Sequence, residues 1–393
     1  MYKNNIWKYY LFNFLRDFAL FSAVLVPFFT QWGNISLFKV QILQSWFMFW
    51  IFLLEVPTGA VADYFGRKIS LILGSIVIAL GVLVYGTSPR FEMFLLGEFI
   101  LATGFALISG ADQALLFDSL KEDKKEIESK KIFGKAHAFN LLGIFISAPL
   151  GSFAASKLGL NAPMYLTAIP FFLAAIVALS FKEPIIKEKT SESKRYLDVV
   201  KKGFSYFKNH KILRLLAIDA ILVNSAAYFV IWLYQPLFMS IKVPISSFGW
   251  FHALLIGTEI LIASNFVRLE KIIGSGKKYL QFSAIITAIM FFITAAVPNI
   301  FTIISFIIFA GGFGLTRFEL MSSYMNKFIP SESRATILSS ISMFKRFTLI
   351  FLNPLIGFTA DHSLRLALVV IGILPLLIFF FSPISQEILD SEN

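Results

Sequence analysis

The sequence predicts an all-α integral membrane protein with twelve transmembrane helices arranged as two pseudo-symmetric six-helix bundles. Of its 393 residues, 57% are hydrophobic and 15% are charged, whereas a soluble domain carries about 25% charged residues. Apolar runs of about 20 residues, the length that crosses a bilayer, occur along the whole chain. Weak matches between its two halves at one common offset indicate an internal repeat.

The apolar runs can be assigned to twelve spans separated by short polar segments. The spans cover residues 7–29, 38–58, 69–87, 91–117, 136–156, 163–181, 212–236, 246–267, 279–297, 300–324, 336–360 and 365–382.

Lysine and arginine collect on one side of these spans. If the N-terminus is cytoplasmic, the cytoplasmic segments hold 26 of these bases and the external segments hold five. The positive-inside rule therefore predicts a multi-pass protein of the cell inner (plasma) membrane with both termini in the cytoplasm.

One long polar segment, residues 183–211, divides the chain. It predicts an N-terminal bundle at 1–182, a cytoplasmic linker at 183–211 and a C-terminal bundle at 212–393. Within the linker, Tyr196, Val200, Phe204 and Phe207 recur at helical spacing, which predicts a short amphipathic helix on the inner membrane surface. A solvated linker helix is the alternative.

A shift of about 205 residues superimposes the two halves. Each match is weak alone, and their common offset favours two parallel repeats. The matched pairs are Pro149 with Pro354, Gly151 with Gly357, Gly66 with Gly274, and Asp17 with Asp219.

The loop between the second and third spans has the sequence GAVADYFGRK at residues 59–68. Asp63 ends a helix, where the macrodipole disfavours an anion, so it needs a cationic partner or the N-terminus of another helix. Gly66 supplies the backbone conformation that stops the segment. Arg67 and Lys68 hold the loop on the cytoplasmic side.

This loop resembles the G-x-x-x-D-x-x-G-R-K loop of major facilitator superfamily transporters. EVPTG at 55–59, SGADQALLFDSL at 109–120 and IPSESRAT at 329–336 resemble bacterial branches near the drug:proton antiporters. In such relatives the loop aspartate contacts the N-terminus of the eleventh span and locks the cytoplasmic side. The resemblance implies a conformational latch, with Ser331–Arg334 as the facing end and Ser331 as its N-cap. Its residues would be Gly59, Asp63, Gly66, Arg67 and Lys68.

Two antiporter signatures depart from the family pattern. Glu98 stands where relatives carry an arginine in the fourth span, and the fifth-span G-P-x-x-G-G pattern is reduced to Ala148-Pro149-Leu150-Gly151. These departures concern the antiport activity and leave the resemblance in fold intact.

Ten ionisable residues lie well inside the predicted spans. At roughly 3 kcal/mol each at a helix centre they would cost about 30 kcal/mol if they faced lipid, more than the roughly 5–15 kcal/mol stability of a typical protein. They must therefore pair or line a wet cavity. They are Arg16, Asp17, Glu98, Asp112, Asp219, Glu259, Arg317, Glu319, Lys345 and Arg346.

The resemblance implies that spans 1, 4, 7 and 10 line a central passage. Asp17, Asp112 and Asp219 lie on three of these spans and are the main candidates for proton coupling. Glu98, in the fourth span, ranks below them as a further candidate. Because the repeat maps Asp112 onto Arg317, we expect these two to face each other across the pseudo-twofold axis. A purely structural ion pair is the alternative.

Further polar residues are candidates for lining the substrate cavity, although polar residues between helices often serve only packing. Glu259 with Lys345 or Arg346 is instead a candidate bridge within the C-terminal half. The cavity candidates are Arg16, Gln44, Gln113, Asn224, Arg317 and Glu319.

The sequence contains no motif that is typical of metal binding, cofactor binding or enzymatic catalysis. Cysteine is absent and the four histidines are scattered, so we expect no metal site and no cofactor. Gly274-Ser275-Gly276-Lys277 lacks parts of a phosphate loop, and no enzyme signature emerges. The net charge of +11 resides in short loops, which argues against nucleic acid as a partner. The 46 phenylalanines are expected to be ordinary lipid-facing residues and core filler, and an aromatic drug pocket is the alternative.

The sequence thus predicts a monomeric secondary active transporter that moves a small organic solute across the lipid bilayer by alternating access. The expected activity is proton-coupled efflux, with protons as the coupling ion. An uptake symporter or facilitator for a nutrient or metabolite is the alternative, and a membrane sensor that does not transport is a further one.

The linker supplies the first testable prediction. A single cysteine introduced at Ser191 should resist an impermeant maleimide added to intact cells and react after the cells are permeabilised, because the linker is cytoplasmic. The native chain contributes no background cysteine. A cysteine at Lys157, on a predicted external loop, is the matched control and should react in intact cells. Labelling of the Ser191 position from outside would overturn the topology.

Overall fold

The structure is a computed structural model that describes residues 2–184, 205–330 and 334–391. Within these ranges the chain is helical and contains no β-strand. Eleven helical stretches of the described chain are long and apolar enough to cross a membrane. The predicted all-α membrane fold is confirmed, and the spans agree with the predicted twelve except that the first is interrupted.

The helices are numbered here by the span that they form. In the first half they are α1 (Lys3–Arg16), α2 (Leu37–Phe65), α3 (Arg67–Thr87), α4 (Phe91–Ile108, continued by Ala111–Glu122), α5 (Ser129–Leu158) and α6 (Ala162–Leu179).

In the second half, short helices Phe266–Ile273 and Gln386–Asp390 accompany the spans. The spans are α7 (Lys211–Ser240), α8 (Ile245–Ser264), α9 (Gly276–Ala296), α10 (Ile300–Ser305, continued by Phe306–Gly311, Gly312–Leu315 and Arg317–Met325), α11 (Arg334–His362) and α12 (Leu364–Phe381).

The first span is broken, which corrects the continuous helix expected at 7–29. The α-helix ends at Arg16 and regular helix resumes only at Leu25–Pro27, followed by a π-helical turn at Phe28–Trp32. Isolated turns such as Val24 N to Phe21 O, at 3.0 Å, connect the pieces. Each piece is too short to cross a bilayer alone.

Two further spans carry interruptions. In α4, Gly110 adopts a φ of 78°, a conformation that is costly for residues with a Cβ. In α10, Phe306–Gly311 is π-helical and Thr316 separates two α-helical pieces. Single π-turns within helices are frequent at functional sites.

The described residues form two compact units. The first holds the residues up to Ile35, those from Leu43 to the linker, and Ile245–Ala253. The second holds Ser36–Ile42, residues 205 to 244 and those from Leu254 onward. The start of α8 therefore groups with the first unit, where Ser152 Oγ donates to Ser246 O at 3.1 Å.

The predicted amphipathic linker helix lies largely outside the described residues, because Tyr196, Val200 and Phe204 are among those not described. Residues 205–209 are helical. There, Phe207 stacks on Phe344 of α11 with ring centroids 4.9 Å apart. This aromatic ring therefore packs within the second unit.

Candidate functional site

The interrupted part of the first span is held by α5 and α6. Leu20 N donates to Thr167 Oγ1 at 3.1 Å, and Ser147 Oγ donates to Ala19 O at 3.3 Å. A Cβ added at Gly151 would lie 1.7 Å from Leu20 O, so only glycine permits this approach. Non-helical backbone is tolerated at membrane depth where protein groups satisfy it, and such breaks mark binding sites in transporters.

A three-residue ion cluster, Arg16, Asp17 and Asp112, lies where the first and fourth spans break. Arg16 Nη1 donates to Asp112 Oδ2 at 2.9 Å, and Arg16 Nη2 donates to Asp17 Oδ2 at 3.2 Å. The side chains of Arg16 and Asp112 are 15% and 9% exposed. One guanidinium thus serves two carboxylates.

The fourth span presents Asp112 to this cluster through its break. Asp112 is in the first turn of the second piece of α4, and its Oδ1 accepts from the backbone N of Gln113 at 2.6 Å. A carboxylate at a helix N-terminus also benefits from the positive end of the macrodipole. The side chain of Gln113, a predicted cavity residue, is exposed.

The second unit contains a separate, fully buried ion pair between α7 and α10. Arg317 Nε donates to Asp219 Oδ1 at 3.0 Å, and Arg317 and Asp219 are 1% and 2% exposed. Arg317 Nη1 donates to Leu280 O at 2.5 Å and to Ser283 Oγ. Ser382 Oγ donates to Asp219 Oδ2 at 2.8 Å. Both charges are therefore paired and hydrogen-bonded from α9 and α12.

Asp112 and Arg317, which were expected to face each other across the pseudo-twofold axis, belong to these two separate clusters. Each has its partner within its own unit, Arg16 and Asp219 respectively. The first and fourth spans of each repeat are joined by an ion pair, but the signs are exchanged. The base is on the first span and the acid on the fourth in one unit, and the reverse holds in the other.

Glu98 of α4 lies in a third polar group within the first unit. Gln44 Nε2 of α2 donates to Glu98 Oε1 at 3.2 Å, and the hydroxyl of Tyr85 of α3 also hydrogen-bonds to this carboxylate. Glu98 is 5% exposed and lies against a cavity of about 170 Å³. The sequence placed Gln44 in a cavity but did not identify Tyr85 as a partner of Glu98.

The remaining cavity candidates have local roles in the second unit. Asn224 Nδ2 donates to Leu315 O at 2.8 Å, which satisfies a carbonyl at the break of α10. Glu319 interacts electrostatically with Glu259 and with Lys345.

Of the two bridges expected for Glu259, the one to Lys345 is not among the ion pairs of the described residues, and the one to Arg346 stays a prediction. Lys345 Nζ lies 4.4 Å from the centroid of the Phe318 ring instead. A cation over an aromatic face is stabilised by the ring quadrupole.

The latch residues surround the junction of α2 and α3. Asp63 is in the last turn of α2, and Gly66 links the helices with a φ of 101°, which favours glycine. Arg67 Nη1 donates to Ala114 O at 2.8 Å and pairs with Asp118 of α4. Gly59 is within α2, where an added Cβ would meet no atom within 4 Å.

Glu183 is a contact of this loop that the sequence did not single out. Its Oε1 accepts from Arg67 N at 2.8 Å and its Oε2 from Lys68 N at 2.7 Å. A carboxylate that accepts the first amides of a helix is an anionic N-cap. Ser331, the expected N-cap at the opposite end of the latch, lies outside the described residues.

The buried pair leads to a prediction about stability. Asp219→Leu or Arg317→Met alone should each lower the free energy of unfolding by about 3–5 kcal/mol, because each leaves a buried charge without its partner. The double substitution should lose much less, since it removes both charges. Denaturation of the purified protein, followed by tryptophan fluorescence, measures the three variants.

The control is the exposed pair Lys125 and Glu128, 3.7 Å apart, whose removal should cost no more than about 1 kcal/mol. A double variant as unstable as the sum of its singles would contradict the coupling of Asp219 with Arg317.

Solved structures resemble the whole fold. A mutant of the nucleoside transporter NupG aligns with a TM-score of 0.81 at 13% identity, covering 95% of this chain and 98% of that one. A POT family transporter in complex with 5-aminolevulinic acid aligns with a TM-score of 0.77 at 13% identity, covering 97% and 96%. At this identity the likeness concerns the fold alone.

Curated relatives match parts of the chain. An uncharacterized transporter of Buchnera aphidicola subsp. Acyrthosiphon pisum is 22% identical over 73% of this chain and 72% of its own length. The L-fucose-proton symporter of Escherichia coli K12 is 29% identical over 23% of this chain and 21% of its own length. Over several other relatives the chain spans about a quarter to a half of their length.

The family model of the Major Facilitator Superfamily matches residues 9–347, which is most of the chain. The match runs through both charged clusters and both halves of the internal repeat. On this evidence the chain belongs to the Major Facilitator Superfamily.

Proposed function

We propose that this transporter exports a small organic solute in exchange for protons, by alternating access between its two repeats. The family supports transport across a membrane. Proton coupling is supported by the name of one relative, an L-fucose-proton symporter, and by the carboxylates inside the first unit. Neither argument depends on the identity of the solute.

The observation that carries this proposal is the sharing of Arg16 by two carboxylates. With one guanidinium for Asp17 and Asp112, the cluster holds one negative charge in excess when both acids are ionised. Such a charge at membrane depth is costly unless a proton or a cationic solute neutralises it. Both acids adjoin helix breaks, so a small backbone change can alter their distance from Arg16.

Asp219 is a weaker candidate for carrying the proton. Its oxygens accept hydrogen bonds from Arg317 and Ser382, so it has its counter-charge in place. We therefore assign it to the stability of the second unit and keep Asp17 and Asp112 as the coupling acids.

Uptake of a nutrient or metabolite together with protons is the second candidate. The observation that favours it is again the L-fucose-proton symporter among the relatives. Exchange and symport differ in the pH gradient that drives them, so one vesicle experiment separates the two.

The organisation proposed from the sequence accompanies this function. We propose a monomer of two bundles, at 1–182 and 212–393, joined by a cytoplasmic linker in the inner (plasma) membrane. The distribution of 26 bases on one side and five on the other supports this orientation.

We further propose that Gly59, Asp63, Gly66, Arg67 and Lys68 form a conformational latch rather than a substrate site. Arg67 joins the loop to α4 through Asp118, and Glu183 joins it to the end of α6. The loop between α2 and α3 therefore contacts both α4 and the end of α6. These contacts would hold the three elements together when the bundle moves.

The coupling proposal predicts that Asp17→Asn and Asp112→Asn each abolish concentrative transport driven by a pH gradient and spare solute exchange at equal pH. The solute is first identified by a thermal-shift screen, in which a ligand at 100 times its dissociation constant stabilises the protein by about 2.7 kcal/mol. Its uptake is then measured in proteoliposomes. An acidic interior should drive uptake by exchange, whereas an acidic exterior would drive symport.

Glu122→Gln is the matched control, because this exposed acid lies on the same piece of α4 as Asp112. If both aspartate variants fold normally and still concentrate the solute along a pH gradient, neither acid couples transport to protons.

The latch proposal predicts slower transport without loss of affinity. Asp63→Asn and Glu183→Gln should each slow transport by roughly fivefold, equivalent to about 1 kcal/mol of helix-end electrostatics. Equilibrium binding of the solute should change less than about threefold, because neither residue contacts it. Glu126→Gln, in the loop between α4 and α5, serves as the control. A large loss of binding in a folded variant would exclude the latch role.

A further inference from the structure

The cavity beside Glu98 lies in the first unit and has an apolar lining of aromatic and aliphatic side chains. Its volume of about 170 Å³ is bounded by the rings of Phe21, Phe47, Tyr85 and Phe105, with Gln44 and Glu98 as polar groups. An apolar cavity of about 150 Å³ accommodates benzene in a well-studied case. The space therefore fits a compact molecule of about eight non-hydrogen atoms.

Glu98 lacks a cationic partner in this environment. Its carboxylate receives hydrogen bonds from Gln44 and Tyr85, and no lysine, arginine or histidine of the described residues pairs with it. Hydrogen bonds from neutral donors orient a carboxylate but do not neutralise it, and an uncompensated buried charge is strongly unfavourable. Such a carboxylate is neutralised either by a proton or by a bound cation, so a cationic occupant of the cavity can take the place of the proton.

The surrounding residues hold Glu98 in a defined geometry. Tyr85 packs against Gly97, where an added Cβ would lie 2.5 Å from its ring, and stacks on Phe94 with centroids 5.8 Å apart. Its hydroxyl therefore has little freedom to leave the carboxylate. Phe21 comes from the interrupted part of the first span, so one wall of the cavity lacks a continuous helix.

We propose that this cavity is a binding site for a small organic cation, an amine that carries one aromatic or compact alkyl group. The ammonium pairs with Glu98, and the aromatic faces contact the cation and its apolar group. The proposal rests on the proposed transport function and names the solute class for it. An anionic solute would be repelled by ionised Glu98, and a neutral one would gain no ion pair with it.

Equilibrium binding to the purified full-length chain in detergent tests the proposal. Benzylammonium is the probe, and benzyl alcohol and benzoate are matched compounds with the same ring and with neutral or negative charge. Benzylammonium should raise the unfolding temperature of the native protein in a concentration-dependent manner, and the other two should not. Equal stabilisation by benzyl alcohol would overturn the charge requirement, and no stabilisation by benzylammonium would overturn the site.

Glu98→Gln keeps the shape of the side chain and removes the charge. It should weaken benzylammonium binding at least about tenfold, the usual loss for a charged hydrogen bond. Glu92→Gln removes an exposed acid from the first turn of the same helix and should bind as the native protein does. Equal binding by the Glu98→Gln variant would contradict the proposal.

Val82→Phe keeps Glu98 and fills the cavity that Val82 lines. This variant tests the site if the Glu98→Gln variant does not fold. Loss of benzylammonium binding is expected, and unchanged binding by folded Val82→Phe protein would locate the probe elsewhere.

These experiments can refute the binding site and the proposed transport function separately. If the proteoliposomes show no proton-coupled transport but benzylammonium binding depends on Glu98, the site stands and the proposed function fails. If solutes are transported and the Glu98→Gln variant transports them unchanged, the function stands and this site is excluded.

Discussion

The high cost of an uncompensated charge in an apolar interior accounts for much of this structure. Each unit contains an ion pair that joins its first and fourth spans, Arg16 with Asp112 in one and Asp219 with Arg317 in the other. In the second unit every oxygen of the acid and most donors of the base are satisfied from neighbouring helices. In the first, one base serves two acids. The more completely paired cluster is suited to stability, and the incompletely paired one to a change of state.

The sequence was sufficient for the fold because hydrophobic length and the distribution of lysine and arginine are properties of single segments. It was not sufficient for the partners of the charges. A repeat identifies equivalent positions, such as Asp112 and Arg317, and equivalence says nothing about contact. The pairs are set by which side chains face the same interior, and Arg16, the last residue of α1, pairs with Asp112 at the start of the second piece of α4.

Other site residues were missed because their partners are far away in the chain. Glu183 caps α3 across more than a hundred residues, and Tyr85 hydrogen-bonds to Glu98 from a neighbouring span. A first acid after an apolar span, or a tyrosine within one, is a weak sequence signal for such contacts. The breaks in the first and tenth spans were likewise not predicted. Arg16 and Arg317 lie beside them as charges within apolar runs, but the groups that support the broken backbone lie on other helices.

The long separation between Arg16 and Asp112 also bears on how the protein is made. The two are 96 residues apart, which at typical synthesis rates is about 5 to 20 seconds of translation. During that interval the first apolar segment presents a broken helix and two ionised groups to the insertion machinery, each costing about 2.5–3.5 kcal/mol at a helix centre. Asp17 partly compensates Arg16 within the same segment, and we expect the remaining compensation when the fourth span, with Asp112, has been synthesised.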